Sequence, residues 1–61
     1  MKINNLPTEH KNYVVARYCD DGWWYWGSYD ALDKAYLTAE DVDGQVFHSV
    51  EIESNIQTYL I

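Results

Sequence analysis

The sequence predicts a small α+β fold in which one helix packs on one face of a small antiparallel sheet. Two strand-like runs, 13–18 and 23–27, flank a turn signal at 20–22, which is the pattern of a β-hairpin. An apolar stripe at helical spacing follows over 32–42, and an alternating segment follows over 45–53. A single sheet with the helix on its face is the simplest packing for the order hairpin, helix, strand.

The chain has 61 residues, so we expect it to form one domain. Residues 1–11 are expected to be an irregular lead-in that is anchored only by Ile3 and Leu6. Residues 12–53 are expected to form a ββαβ core. A fourth strand is expected at 56–61, paired with the third strand or with another protomer.

The register of the hairpin decides which tryptophans enter the core, and two registers are open. A three-residue loop, with Gly22 left-handed, pairs Cys19 with Trp23. A two-residue turn at Asp21-Gly22 pairs Asp20 with Trp23 instead. We favour the longer loop because it sorts the side chains better between two faces. One face then carries Val14, Ala16, Tyr18, Trp24 and Trp26. The other face carries Tyr13, Val15, Arg17, Cys19, Trp23 and Tyr25.

The face that carries Arg17 is expected to meet water, because a charged side chain is rarely buried without a partner. Trp24 and Trp26 are therefore expected to lie in the core. Trp23 and Tyr25 are expected to be half-exposed. The two-residue turn would exchange the roles of these two pairs.

The helix is expected from about Ala31 to Val42. Asp30 is a suitable N-cap, Asp33 suits the positive end of the helix, and Gly44 suits the position after it. The apolar stripe consists of Leu32, Ala35, Tyr36, Ala39 and Val42. The third strand, over 45–53, is expected to turn one set of side chains to one side, namely Val46, His48, Val50 and Ile52.

Charge and composition restrict the partner and the compartment. Ten acidic residues against four basic ones give a net charge of −6, which argues against direct nucleic-acid binding. The charge suits a protein partner with a basic surface, and solubility alone is the simpler explanation. Cys19 is the only cysteine, so a reducing, cytoplasmic compartment is expected. No apolar run of about 18 residues is present, so no membrane association is expected.

We expect no catalysis, no metal and no cofactor. Residues 41–44 match part of a calcium loop, but its first and last positions would be Ala39 and Val50, which do not bind calcium. His10 and His48 lack the spacing of metal ligands, and three glycines are too few for a phosphate loop. A chain this short also gives little support to a rigid active site.

Two groups of residues are the candidate partner contacts. Acidic residues at a helix C-terminus oppose the helix dipole, so local stability does not explain Glu40, Asp41 and Asp43. The sheet face away from the helix must be covered by a partner, by a second copy or by water. On that face the candidate contacts are Trp23, Tyr25, Tyr13 and Arg17.

The strand-like run 13–17, the aromatic run 21–29 that ends its strand in Gly27, and the Ala-containing helix resemble short, acidic, uncharacterised phage and prophage proteins. The resemblance covers about residues 12–50 and is one of fold pattern, so it assigns no functional residue. It implies a setting in which such proteins bind and inhibit host proteins, such as nucleic-acid-processing or defence complexes.

The sequence therefore predicts a small, acidic, non-catalytic protein-binding module of the kind that a phage uses to inhibit or modulate a host protein. A structural homo-oligomer, with a homodimer as its simplest form, is the first alternative. A module that binds a sugar-like or cationic ligand on its aromatic patch is the second alternative.

Overall fold

The computed structural model describes residues 2–52, which form a four-stranded mixed sheet with a helix on one side. The expected α+β class and its β-hairpin are confirmed. In chain order the elements are β1 (Ile3–Asn4), β2 (Tyr13–Cys19), β3 (Gly22–Tyr29), α1 (Leu32–Val42) and β4 (Gln45–His48). The sheet order is β1-β3-β2-β4, so the two hairpin strands lie at its centre. The strand expected at 56–61 lies outside the described residues.

Strand β2 separates two small cores, because it lies inside the sheet and its successive side chains point to opposite sides. Val14, Val15 and Ala16 are all 0% exposed. Val15 points to the side on which α1 lies, which we call the helix side. Val14 and Ala16 point to the opposite side, the far side. Small and β-branched residues suit a strand that is buried on both sides.

The helix-side core joins α1 to the sheet through small side chains. Ala35 and Ala39 pack against Val15, and their size lets the helix lie close to the strand. Half-buried side chains complete this core, namely Tyr13, Tyr29, Val42 and Val46. The predicted apolar stripe is wrong at Leu32 and Tyr36, which are 43% and 59% exposed. Because the alanines face the sheet, these two larger side chains lie on the flank of the helix.

The far-side core contains Ile3, Val14, Ala16 and Ile52, and half-buried side chains surround it, namely Leu6, Trp23, Tyr25 and Phe47. Ile3 and Leu6 thus anchor the lead-in as expected. The lead-in is nevertheless not wholly irregular, because β1 pairs with β3 in parallel. The Asn4 side-chain amide donates a hydrogen bond to the Trp23 carbonyl oxygen at 3.0 Å and fixes this short strand. The sheet is therefore mixed, not purely antiparallel.

The hairpin loop differs from both predicted registers. Cys19 lies opposite Gly22, so the loop consists of Asp20 and Asp21 alone. Gly22 belongs to β3 and not to the loop. The favoured three-residue loop is therefore wrong. As expected for a two-residue turn, the two pairs exchange roles: Trp23 and Tyr25 pack against a core, and Trp24 and Trp26 are exposed.

A β-bulge lies farther along the hairpin, in β3. Val15 pairs with Gly27, whereas the next residue of β2, Ala16, pairs with Tyr25. Trp26 is therefore the extra residue of the bulged strand, and it has no direct partner across the ladder. In a regular strand, Tyr25 and Gly27 would lie on the same side, because they are two residues apart. The bulge breaks this alternation, so Tyr25 points to the far side whereas Gly27 lies opposite Val15 on the helix side.

The two ends of α1 are built differently from the prediction. Ala31 is the N-cap residue and makes no side-chain cap hydrogen bond. Asp30, the predicted N-cap, lies instead with its carboxylate oxygen 3.8 Å from Nζ of Lys11. At the other end the left-handed residue is Asp43, with φ 57° and ψ 43°, and not Gly44.

Strand β4 is shorter than the predicted 45–53, because residues 49–52 are helical. Val46 packs in the helix-side core and Ile52 in the far-side core, so the face predicted to carry both is wrong. Nδ1 of His48 accepts a hydrogen bond from the backbone N–H of Val50 at 3.1 Å. This bond satisfies a free N–H group where the helical turn begins, as a side-chain N-cap does.

Candidate functional site

Three large side chains form an exposed patch on the helix side of the sheet, and we call Arg17, Trp24 and Trp26 the Arg–Trp patch. Arg17 lies directly opposite Trp24 in the hairpin ladder. The guanidinium carbon of Arg17 lies 5.9 Å from the ring centroid of Trp26, which is within cation–π range. Trp24 and Trp26 are 43% and 51% exposed.

The patch is exposed because α1 covers only part of this sheet face. The helix packs over Val15 and over the tyrosines at the other end of the hairpin, Tyr13 and Tyr29. It ends beside Arg17, since a Cβ atom at Gly44 would lie 3.4 Å from the Cγ atom of Arg17. Beyond this point no helix of residues 2–52 covers the face, and Trp24 and Trp26 are exposed.

Acidic side chains border the patch at the same end of the sheet. The β2–β3 loop lies there, and so does the α1–β4 turn, because the first residue of β4, Gln45, pairs with Ala16 next to Arg17. The two turns and the last turn of α1 contribute five exposed carboxylates, which we call the acidic end, namely Asp20, Asp21, Glu40, Asp41 and Asp43. Arg17 and Lys2, which precedes β1, are the basic residues at this end.

The electrostatics of this end are dominated by negative charge. Within residues 2–52 the one ion pair joins Lys11 and Asp30, at the opposite end of the hairpin. Arg17 forms no ion pair with any residue in this range. The C-terminus of α1 adds the negative pole of the helix dipole, and its last turn contains no basic residue. The Arg–Trp patch is thus an aromatic surface inside a negative field.

The predicted outer pair, Trp23 and Tyr25, is not the exposed pair. Both are half-buried and pack against the far-side core. Trp23 makes edge-to-face contacts with Tyr18 and Phe47, with ring centroids 5.3 and 5.0 Å apart. Such pairs stabilise a core beyond the area they bury. The assignment of Trp24 and Trp26 to the core is correspondingly wrong.

The other predicted contacts divide into two groups. Tyr13 is half-buried under α1, with its ring edge-to-face with His48 at 5.3 Å, so it belongs to the helix-side core. Arg17 is exposed, but it lies on the helix side of the sheet together with the buried Val15, so the prediction that its side of β2 faces away from the helix is wrong. The structure places Arg17 beside Gly44, which follows the exposed helix-end acids Glu40, Asp41 and Asp43 in the chain. Sequence reasoning therefore named the charged residues of this surface as candidate contacts and assigned its two tryptophans to the core.

Three further polar features of residues 2–52 were considered as possible sites: the hydrogen bonds of Ser28, the thiol of Cys19 and groups of metal-binding side chains. The backbone N–H of Lys11 and the hydroxyl of Tyr25 both donate to Oγ of Ser28, at 2.9 and 3.2 Å, which ties the lead-in to β3. Cys19 is an exposed free thiol. Within residues 2–52, no group of three or more His, Cys, Asp or Glu side chains is placed to hold a metal ion.

No family model, curated protein or solved structure matches this chain. None of the helices among the described residues is long and apolar enough to cross a membrane. The Arg–Trp patch therefore has to be interpreted from its own residues and their surroundings. The two exposed tryptophans offer a large apolar contact surface. Arg17 and the five carboxylates give this surface a charged border, a combination that is suited to binding another molecule.

Proposed function

We propose that this chain is a non-catalytic protein-binding module that holds its partner on the Arg–Trp patch. The observation that carries the proposal is the exposure of Trp24 and Trp26 next to Arg17. Tryptophan is among the residues most often responsible for the binding energy of protein interfaces. A chain with so few buried side chains would gain stability from burying these rings, so their exposure favours a role in binding.

The surroundings of the patch support the same function. Protein interfaces usually combine an aromatic centre, depleted in charge, with a polar and charged rim. Here the tryptophans form the centre, and the acidic end forms a rim along two of its borders, the hairpin loop and the end of α1. The patch therefore combines an aromatic centre with a charged border, which is the ordinary composition of a protein interface.

Affinity capture with matched variants tests this proposal. The tagged protein, the double variant Trp24→Ala/Trp26→Ala and the control Leu37→Ala are each exposed to lysate of the source cells. Leu37 is 67% exposed on α1, outside the patch, so its removal tests for unspecific apolar binding. We expect one protein that the wild type and Leu37→Ala retain equally, with affinity about thirtyfold lower for the double variant.

The same far-UV and near-UV circular dichroism for all three proteins would show that the double variant is folded. Retention of every captured protein by the double variant would contradict the proposal. Light scattering of the pure wild type tests the alternative of a structural homo-oligomer, for which a dimer sensitive to the same two substitutions is expected. The inhibition of a host factor by a phage-type protein rests on the resemblance alone and stays a prediction.

A further inference from the structure

We infer that the partner presents an arginine-rich segment to the Arg–Trp patch, an inference that rests on the proposed function. Within residues 2–52 the patch is a sheet face that no other element covers, and its occupant is identified by charge and by ring chemistry together. Five exposed carboxylates of the acidic end surround it on two borders, against Arg17 and Lys2. A cationic segment that reached the tryptophans would pass these carboxylates, which attract it and raise its rate of association.

The ring chemistry favours arginine over lysine. A planar guanidinium stacks on an aromatic face and is less strongly hydrated than an ammonium group. The chain itself contains one such contact, because the Arg17 guanidinium lies over the Trp26 ring. Trp24, the cross-strand neighbour of Arg17, is exposed to a second guanidinium supplied by a partner. Aliphatic parts of that side chain would also cover apolar area of the ring.

The carboxylates at the end of α1 are not explained by the stability of the fold. Glu40, Asp41 and Asp43 lie at the negative pole of the helix, no basic residue shares its last turn, and all three are exposed. Each therefore opposes the helix dipole, and they repel one another. Asp43 also adopts the left-handed conformation that glycine or asparagine adopts more readily. A cationic partner gives these three acids a function that the isolated chain does not.

Titration with synthetic peptides tests the inference. A nine-residue arginine peptide and a nine-residue lysine peptide of equal charge are titrated into the full chain, with tryptophan fluorescence and calorimetry as readouts. We expect the arginine peptide to bind about two- to fivefold more tightly, which is the range of one exposed cation–π contact. Trp24→Leu retains an apolar side chain and removes the ring, so it should weaken the arginine peptide more than the lysine peptide and reduce this difference.

Two further variants test whether the partner segment is positively or negatively charged. The triple variant Glu40→Gln/Asp41→Asn/Asp43→Asn should weaken both peptides about tenfold at low salt, and the wild type should lose a similar factor as salt rises and screens the carboxylates. Arg17→Gln removes a like charge from the path of the peptide and should strengthen binding about twofold. If the partner surface were acidic, Arg17 would attract it, and Arg17→Gln would weaken binding instead.

Any of three results would overturn the inference. The two peptides bind equally and Trp24→Leu has no effect, neither peptide binds, or Arg17→Gln binds more weakly than the wild type. The lysate experiment separates this failure from that of the proposed function. If the captured protein depends on Trp24 and Trp26 but is retained unchanged by the triple acid variant, the patch binds a partner of another chemistry. If no captured protein depends on the tryptophans, the proposed function itself is wrong.

Discussion

Gly44 is the residue at which the α1–β4 turn comes closest to the sheet. A Cβ atom at this position would lie 2.6 Å from the carbonyl oxygen of Ala16, a distance that real Cβ atoms do not adopt. The obstacle is backbone in the middle of a buried strand, so it does not move aside. The glycine is required here by close packing, and the left-handed turn residue is its neighbour Asp43.

We predict that Gly44→Ala destabilises the protein by about 2 kcal/mol, because β2 or the end of α1 must shift to admit the methyl group. Gly27→Ala is the matched control. Its Cβ atom would meet the hydroxyl of Tyr29 at 3.0 Å, which is the far end of a side chain that can rotate. Urea unfolding should therefore give a clearly larger loss for Gly44→Ala. Equal losses at the two glycines would contradict this account of the turn.

At the same scale, the candidate site shows what the sequence did and did not determine. The charge of Arg17 was enough to predict its exposure, but its side of β2 was assigned wrongly, because Val15 on the same side is buried under α1. The tryptophans of β3 were assigned to the wrong sides because a loop of two residues, Asp20 and Asp21, differs from the favoured loop by one position. A shift of one residue moves every side chain of a strand to its other face. The local sequence of acidic turn residues and a glycine is compatible with either loop length.

Among the elements, the hairpin and α1 were predictable because each rests on contacts between residues close in sequence. The short β1 was missed, since two residues carry no period and its pairing with β3 is parallel and distant in the chain. The end of β4 was missed for a different reason. Val50 and Ile52 continue the alternation of a strand, yet residues 49–52 are helical and bring Ile52 into the far-side core.

The helical turn after β4 depends on His48, and we predict that His48→Ala destabilises the protein by about 0.5–1 kcal/mol. The imidazole Nδ1 accepts the N–H of Val50, and alanine leaves that group to water. His48→Asn is the control, because it also removes the ring contact with Tyr13 but retains an N-capping side chain. Thermal unfolding should rank the asparagine variant above the alanine variant. Equal losses of stability in the two variants would assign the effect to the ring contact.

On the scale of the whole molecule, the charges are segregated along the sheet. The acidic end collects five carboxylates from the hairpin loop and the end of α1, whereas the ion pair of Lys11 and Asp30 lies at the opposite end. Like charges held together by the fold lower its stability. The molecule thus retains a surface that is unfavourable for the free chain.

We predict that salt stabilises the free protein, because about 0.2 M salt shortens the range of repulsion within the acidic end to less than about 10 Å. The triple variant Glu40→Gln/Asp41→Asn/Asp43→Asn should be about 1–2 kcal/mol more stable than the wild type at low salt. It should also respond less to added salt. Calorimetric unfolding of both proteins at a series of salt concentrations measures these differences in stability. If the stability of the wild type falls as salt rises, attraction between opposite charges dominates over repulsion between the carboxylates.

The far-side core has a consequence for the order in which the chain folds. The helix-side core draws its residues from 13–46, whereas the far-side core is closed by Ile3 and Ile52, from the two ends of the described chain. Closing the longer loop has the larger entropic cost, and contacts between distant residues form slowly. We therefore expect the hairpin and α1 to form before Ile3 and Ile52 meet in the far-side core. Until they meet, Trp23, Tyr25 and Phe47 form an open apolar face, and exposed apolar surface of this kind promotes aggregation.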